Sequence, residues 1–83
     1  MKIEDKLKER AGSHGNFTFV AATSQRFKEI ARKGKSWSTM SDREKEAVDQ
    51  MLHKITRIVE GDSSFPDHWH DILGYSTLGL QNG

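Results

Sequence analysis

The sequence contains no cysteine, so disulfide bonds and thiolate metal sites are excluded from this chain of 83 residues. It also lacks a long apolar run. The opening residues, MKIEDKLKER, are charged throughout and do not contain the apolar segment of a signal peptide. No stretch approaches the roughly 20 apolar residues that are needed to span a bilayer. We therefore expect a soluble, cytoplasmic protein.

Apolar residues are scarce, at 34% of the chain. A domain of this length buries only about 60–65% of the surface that its unfolded chain exposes. We therefore expect a single domain over residues 1–83 with a small hydrophobic core. Because self-association buries further apolar surface, this composition favours a homodimer.

A large excess of charge of one sign is absent as well. The chain has 13 basic and 12 acidic residues and a net charge of +1, which gives little reason to expect nucleic-acid binding. One local excess of positive charge lies in residues 26–35. It is either the solvated face of a helix or a patch that binds phosphate or an acidic partner. Its members are Arg26, Lys28, Arg32, Lys33 and Lys35.

Apolar residues recur at the helical period in several segments, and alternating β-branched runs are absent. This pattern predicts an all-α fold, a small helical bundle of three main helices plus a short N-terminal helix. The glycine-containing stretch AGSHGN (11–16) is expected to end the first helix. The predicted helices cover residues 1–10, 17–33, 42–60 and 67–80.

The third helix has the most complete signals. Ser41 and Glu44 have the spacing of a capping box, and Gly61 stands where the helix should end. Between them runs a continuous apolar stripe, typical of a helix that packs on one side. The stripe consists of Val48, Met51, Leu52, Ile55, Ile58 and Val59.

The segment FPDHWHDILGY (65–75) is the most unusual part of the chain. Asp67 is predicted to cap the fourth helix, because Asp is an efficient N-cap residue. Trp69 is predicted to pack inward as the start of an apolar stripe that continues through Ile72, Leu73, Ser76 and Leu80. His68 and His70 are expected to lie in water.

A zinc site at this segment is not favoured. His68 and His70 are two residues apart, so on a helix their side chains point to different sides and cannot bind one ion unaided. Further ligands would have to come from His14 or His53, on distant segments.

Four carboxylates are candidate metal ligands. Glu46 and Asp49 are three residues apart on the third helix, and Asp67 and Asp71 are four apart on the fourth. Antiparallel packing would place the first pair far from Asp67 along the helix axis. A four-carboxylate site would therefore need steeply crossing helices or a second subunit.

Other roles are open for the same residues. Asp71 can form a structural ion pair with Lys54 or Arg57, which lie late on the third helix and next to the start of the fourth. Trp37 and Trp69 are either core residues or anchors for a partner protein.

The run AVDQMLHKITRIVEGDSSFPDHWHDILGYSTL resembles a family of small bacteriophage and prophage proteins that is catalogued as a domain of unknown function. The opening ERAGSHGNFTFVAATSQRFKEI is also similar to that family, and the resemblance covers most of residues 7–80. The matching positions are Arg10, His14, Gly15, Phe17, Gln25, Lys54, Arg57, Asp67, Asp71, Gly74 and Tyr75.

That family is distantly similar to the MazG-like all-α nucleotide pyrophosphohydrolases. Those enzymes hold Mg²⁺ with a Glu-Glu-x-x-Glu motif on one helix and Glu-x-x-Asp on the next, and magnesium prefers such oxygen ligands. Here the third helix offers Glu44, Glu46 and Asp49 in EKEAVD. Asp67 and Asp71 on the fourth are one residue out of register, so the motif is incomplete.

Two functions follow from the resemblance. The first is a phage accessory protein that binds a host or defence-system protein in the host cytoplasm without a cofactor, as an anti-CRISPR inhibitor would. The alternative is a reduced Mg²⁺-dependent enzyme that hydrolyses nucleoside triphosphates, with Glu46, Asp49, Asp67 and Asp71 combined across a dimer. A helix-turn-helix DNA-binding role is disfavoured, because the helix at 67–80 is acidic at its start.

Overall fold

The computed structural model describes residues 2–81, apart from the side chains of residues 9–11, so the side chain of Arg10 lies outside the described residues. It confirms the all-α fold, and none of the described residues forms a strand. Within residues 2–81, no helix has the length and apolar content needed to cross a membrane. The elements are α1 (Ile3–His14), α2 (Phe17–Arg32), a 3₁₀ turn (Trp37–Thr39), α3 (Asp42–Glu60) and α4 (Pro66–Leu80).

Both α2 and α3 begin with a capping bond, and the capping box predicted for α3 is confirmed. Asn16 caps α2, since its side-chain oxygen accepts the N–H of Thr18 at 3.0 Å. At α3, Ser41 Oγ accepts the N–H of Glu44 at 3.1 Å, and Glu44 Oε1 accepts the N–H of Ser41 at 2.8 Å. Hydrogen bonds from Ser41 to the Glu44 carboxylate, the one from the Ser41 N–H above all, hold the pKa of Glu44 below its ordinary value.

The prediction that α1 ends at residue 10 is wrong, because the helix continues through Gly12 to His14. A glycine inside a helix costs only about 1 kcal/mol relative to alanine, so one such residue does not end a helix. The chain turns instead at Gly15, whose φ of 87° lies in the left-handed region that glycine adopts without strain.

Helix α3 is central, with α2 packed on one side and α4 on the other. The hydrophobic core is small, as expected. The buried apolar residues of the described chain are Val20, Ala47 and Ile58. They are joined by three buried polar residues, which are Ser24, Thr56 and His68. Much of the predicted apolar stripes is therefore only partly covered.

The turn between α1 and α2 touches the turn between α3 and α4, backbone against backbone. A Cβ atom added at Gly61 would lie 2.7 Å from the nitrogen of Gly15 and from the carbonyl oxygen of Ser13. A Cβ added at Gly15 would lie 2.8 Å from the carbonyl oxygen of Glu60. Glycine is required at both positions because the backbones of the two turns approach too closely to leave room for a side chain.

This contact predicts opposite effects for two glycine substitutions. Gly61→Ala should lower the free energy of unfolding by about 1–3 kcal/mol or more, because the backbone atoms around it must move apart. Gly74→Ala, at a position of α4 with open space around it, should raise stability by up to about 1 kcal/mol. Urea unfolding of both variants at one protein concentration measures this, and equal effects would contradict the close contact.

Candidate functional site

Helix α4 begins one residue earlier than predicted. Phe65 is the N-cap residue and makes no side-chain capping bond, and Pro66 is the first helical residue. Proline suits that position because its φ is already helical and the N–H that it lacks would be unpaired there. The prediction that Asp67 caps the helix is therefore wrong. Asp67 lies inside the first turn, where the helix dipole favours a negative charge.

His68 is buried, with 1% of its surface exposed, so the prediction that it lies in water is wrong. Its Nε2 lies 2.9 Å from the carbonyl oxygen of Ser13. A carbonyl oxygen can only accept, so Nε2 carries the proton and donates it. The same oxygen accepts the backbone N–H of Asp62 at 3.2 Å. His68 thus joins the start of α4 to the end of α1.

Three rings surround this hydrogen bond. The ring of His68 meets those of His14 and Phe65 edge-on, with centroid distances of 4.7 and 4.9 Å. His14 and Phe65 are 5.4 Å apart. Two imidazoles are neighbours here, as in some metal sites. The Nε2 of His68, however, carries a proton that is donated to a carbonyl, so it has no lone pair for a metal ion. Among the residues that the structure describes, no three His, Asp or Glu side chains converge as metal ligands.

Trp69 does not pack inward as predicted, because 55% of it is exposed. Its Nε1 donates a hydrogen bond of 2.8 Å to the carbonyl oxygen of Ser63. Successive residues on a helix are 100° apart, so with His68 pointing inward Trp69 lies at the edge of the buried side. His70 is exposed, as expected.

The four candidate carboxylates do not meet within one chain. Asp49 accepts two hydrogen bonds from the guanidinium of Arg32, at 3.0 and 3.2 Å. Glu46 accepts one from Gln50 on the next turn of its own helix at 2.8 Å. A magnesium site built from Glu46, Asp49, Asp67 and Asp71 thus stays a prediction that needs a second subunit.

Asp71 forms the structural ion pair that was one of its predicted roles. Its Oδ2 lies 2.9 Å from Nζ of Lys54, and the two side chains are 45% and 15% exposed. The hydrogen bond from Lys54 is the main reason why the pKa of Asp71 is lowered, and Arg57 contributes weakly from farther away. This pair fixes α4 against α3.

The basic residues predicted to bind a partner do not form one patch. Arg26 and Lys28 are two positions apart on α2, so they point to different sides. Arg32 does approach Trp37, with its guanidinium carbon 5.0 Å from the centre of the indole ring. Lys45 Nζ lies 5.8 Å from the same centre. Nothing local in the sequence links Lys45 to Trp37, because they belong to different elements.

We call this group the tryptophan corner. It lies where α2 leads through the 3₁₀ turn into α3. Two of its cations have carboxylate partners in the structure, Asp49 for Arg32 and Glu29 for Lys33, and the second pair is long at 3.8 Å. Four cations thus share the corner with two carboxylates. The corner consists of Arg32, Lys33, Lys35, Trp37 and Lys45.

In comparisons with protein-family models, curated proteins and solved structures, the chain matches none of them.

The ion pair between Lys54 and Asp71 predicts a pH-dependent stability. A carboxyl group whose pKa is lowered by folding stabilises the fold above its unfolded pKa of about 3.9. That contribution is lost as the pH falls through the lower pKa of the folded state. We therefore expect Asp71→Asn to melt at a lower temperature than wild type near pH 7, and the gap to close on acidification.

A double-mutant cycle provides the control. In a Lys54→Gln background, Asp71→Asn should have little effect on the melting temperature at either pH. If the difference in melting temperature caused by Asp71→Asn persists at acidic pH, or is the same in the Lys54→Gln background, the ion pair is not the cause of that difference.

Proposed function

We propose that this protein is a binding module that acts by contacting another protein, and that the tryptophan corner makes the contact. The resemblance to phage proteins suggests that the target is a host or defence-system protein. The observation that carries the proposal is the position of Trp37, whose ring centre lies 5.0 Å from the guanidinium carbon of Arg32 on α2 and 5.8 Å from Nζ of Lys45 on α3.

This arrangement has the composition of an interface centre. Trp and Arg are the residue types most enriched among those that dominate binding energy at protein interfaces. Two cations close to the indole ring restrict the motion of Trp37 before binding, which lowers the entropy lost on association. Because cations outnumber carboxylates in the corner, the matching surface on the target should be acidic.

The polar residues that first suggested catalysis support the same proposal. His68 donates to a backbone carbonyl, Asp71 pairs with Lys54, and Asp49 binds Arg32. Each of these groups has a partner inside the fold, so each contributes to stability or orientation. We therefore assign the function to binding through the protein surface.

A charge-reversal variant tests the proposal. Lys35→Glu combined with Lys45→Glu reverses two charges of the corner, and Lys6→Glu with Lys8→Glu makes the same net change on exposed positions of α1. Tagged wild type and both variants are used for affinity capture from a bacterial lysate, followed by mass spectrometry. We expect one target to be retained by wild type and the α1 variant and lost by the corner variant. Its retention should also weaken at high salt.

Three results would contradict the proposal. Equal retention by both variants would exclude the corner, and a bound fraction that nuclease treatment releases would indicate a nucleic-acid ligand. The third is release of pyrophosphate from nucleoside triphosphates with Mg²⁺ or Mn²⁺, if Asp67→Asn abolishes it. That result would establish the alternative enzyme.

A further inference from the structure

The layer formed by α2, α3 and α4 has two sides of different chemistry. The directions in which the side chains of α3 point identify these two sides. Its residues Ala47 and Lys54 face α4, through Gly79 and Asp71 respectively. On the other side, Asp49 and His53 face α2. At 100° per residue these two directions are about 130° apart around the helix, so two further strips of α3, one on each side, face neither neighbour.

The two strips of α3 differ sharply. One contains four apolar residues at positions i, i+4, i+7 and i+11, which are Val48, Leu52, Ile55 and Val59. The opposite strip contains Glu46, Gln50 and Arg57. Beside the polar strip, Lys28 and Arg57 lie near His53 and, after burial, help to lower the pKa of that imidazole.

Helix α4 continues the apolar side. Trp69, Leu73, Ser76 and Leu80 repeat with the same i, i+4, i+7, i+11 spacing and form one stripe. A groove of about 250 Å³ contains Ser76 and Leu80 together with Val48 of α3, so the two stripes lie side by side. Asp71, about half a turn away, lies on the opposite side with Lys54.

Helix α2 extends the apolar side beyond α3, on the side of α3 away from α4. Phe17 shares a cavity with Arg57, so it belongs to the polar side. Phe19 is two positions later, and Ile30 is eleven after that, so both point to the apolar side. Together the three helices present one apolar face. Its exposed members are Phe19, Ile30, Val59, Trp69, Leu73 and Leu80.

The exposed area of this apolar face is large for a chain of this size. Its six members are between 55% and 82% exposed. At roughly 150–250 Å² for an aromatic side chain and less for an aliphatic one, they present on the order of 600 Å². That reaches the upper end of the range for the largest apolar patch of a typical monomer, about 300–600 Å². It approaches the roughly 800 Å² that each partner contributes to a stable interface.

We infer that the apolar face is covered by a second copy of this chain, in a two-fold symmetric homodimer. The area approaches what a stable dimer needs, and the six exposed apolar members can pack against the same members of a second copy. The monomer core is also short of apolar residues, and an obligate dimer interface resembles a core divided between two chains. This inference goes beyond the proposed function, since it concerns a surface that the tryptophan corner does not use.

The homodimer has a consequence for the predicted metal ligands. Glu46 lies on the polar strip of α3, and Asp71 lies on the polar side of α4. Both therefore face away from the second copy. Pairing through the apolar face does not combine their carboxylates across the interface, so this dimer does not complete a magnesium site.

Sedimentation of paired variants tests the homodimer. Wild type at micromolar concentration should sediment at twice the chain mass of 9.5 kDa. Leu73→Glu should weaken self-association by about tenfold or more, because dimerisation would bury an unpaired carboxylate. Leu78→Glu is the matched control, since Leu78 is on the same helix but lines a groove with Arg43 and Glu46 on the polar side.

A second measurement does not depend on a disruptive variant. Trp37→Phe leaves Trp69 as the single tryptophan, and Trp69 belongs to the apolar face. On dilution, its fluorescence emission should shift to longer wavelength as the dimer dissociates and the indole enters water. Circular dichroism of every variant checks that the helices are retained.

The outcomes are distinct. A wild-type mass of 9.5 kDa with emission that is independent of concentration would overturn the homodimer. Dissociation by Leu78→Glu and not by Leu73→Glu would place the interface on the polar side and overturn it equally. Neither result bears on target capture by the tryptophan corner, so the two proposals fail independently.

Discussion

The carbonyl oxygen of Ser13 accepts two N–H groups from the second half of the chain, the backbone N–H of Asp62 and Nε2–H of His68. Around this oxygen the two inter-helix turns meet, and glycines at 15 and 61 let their backbones touch. Hydrogen bonds usually add only about 1 kcal/mol each, yet leaving a buried donor unpaired costs more. In a protein with so few buried apolar residues, this junction sets how α1 and α4 are placed around α3.

The features that could be predicted from the sequence are those that depend on residues close together in the chain. The capping box at Ser41 follows from a spacing of three residues, and the pair between Lys54 and Asp71 follows from where two consecutive helices meet. The structure of FPDHWHD does not follow in this way. The N-cap is Phe65, two residues before Asp67, and the partner of His68 is 55 positions away in the sequence. The inward position of His68 then leaves Trp69 exposed.

The same contacts explain why the best candidates for chemistry contribute to the fold. The imidazole of His68, the carboxylate of Asp49 and the pair of Lys54 and Asp71 each join two elements, and this compensates for a small apolar core. Two surfaces are left for association. One is the tryptophan corner, which is rich in cations, and the other is the apolar face, which is formed mainly by large apolar side chains. Because their chemistry differs, they suit different partners, an acidic surface of another protein and a second copy of this chain.

The nitrogen NMR spectrum of the His68 imidazole tests most directly whether this segment serves the fold and not catalysis. In ¹⁵N-labelled protein near neutral pH, we expect His68 to be protonated at Nε2. Its signals should not move when Mg²⁺ or Zn²⁺ is added, because Nε2–H is bonded to Ser13. The exposed His70 serves as an internal reference. A proton on Nδ1 alone, or a shift of the His68 signals at metal concentrations that leave His70 unchanged, would contradict this interpretation.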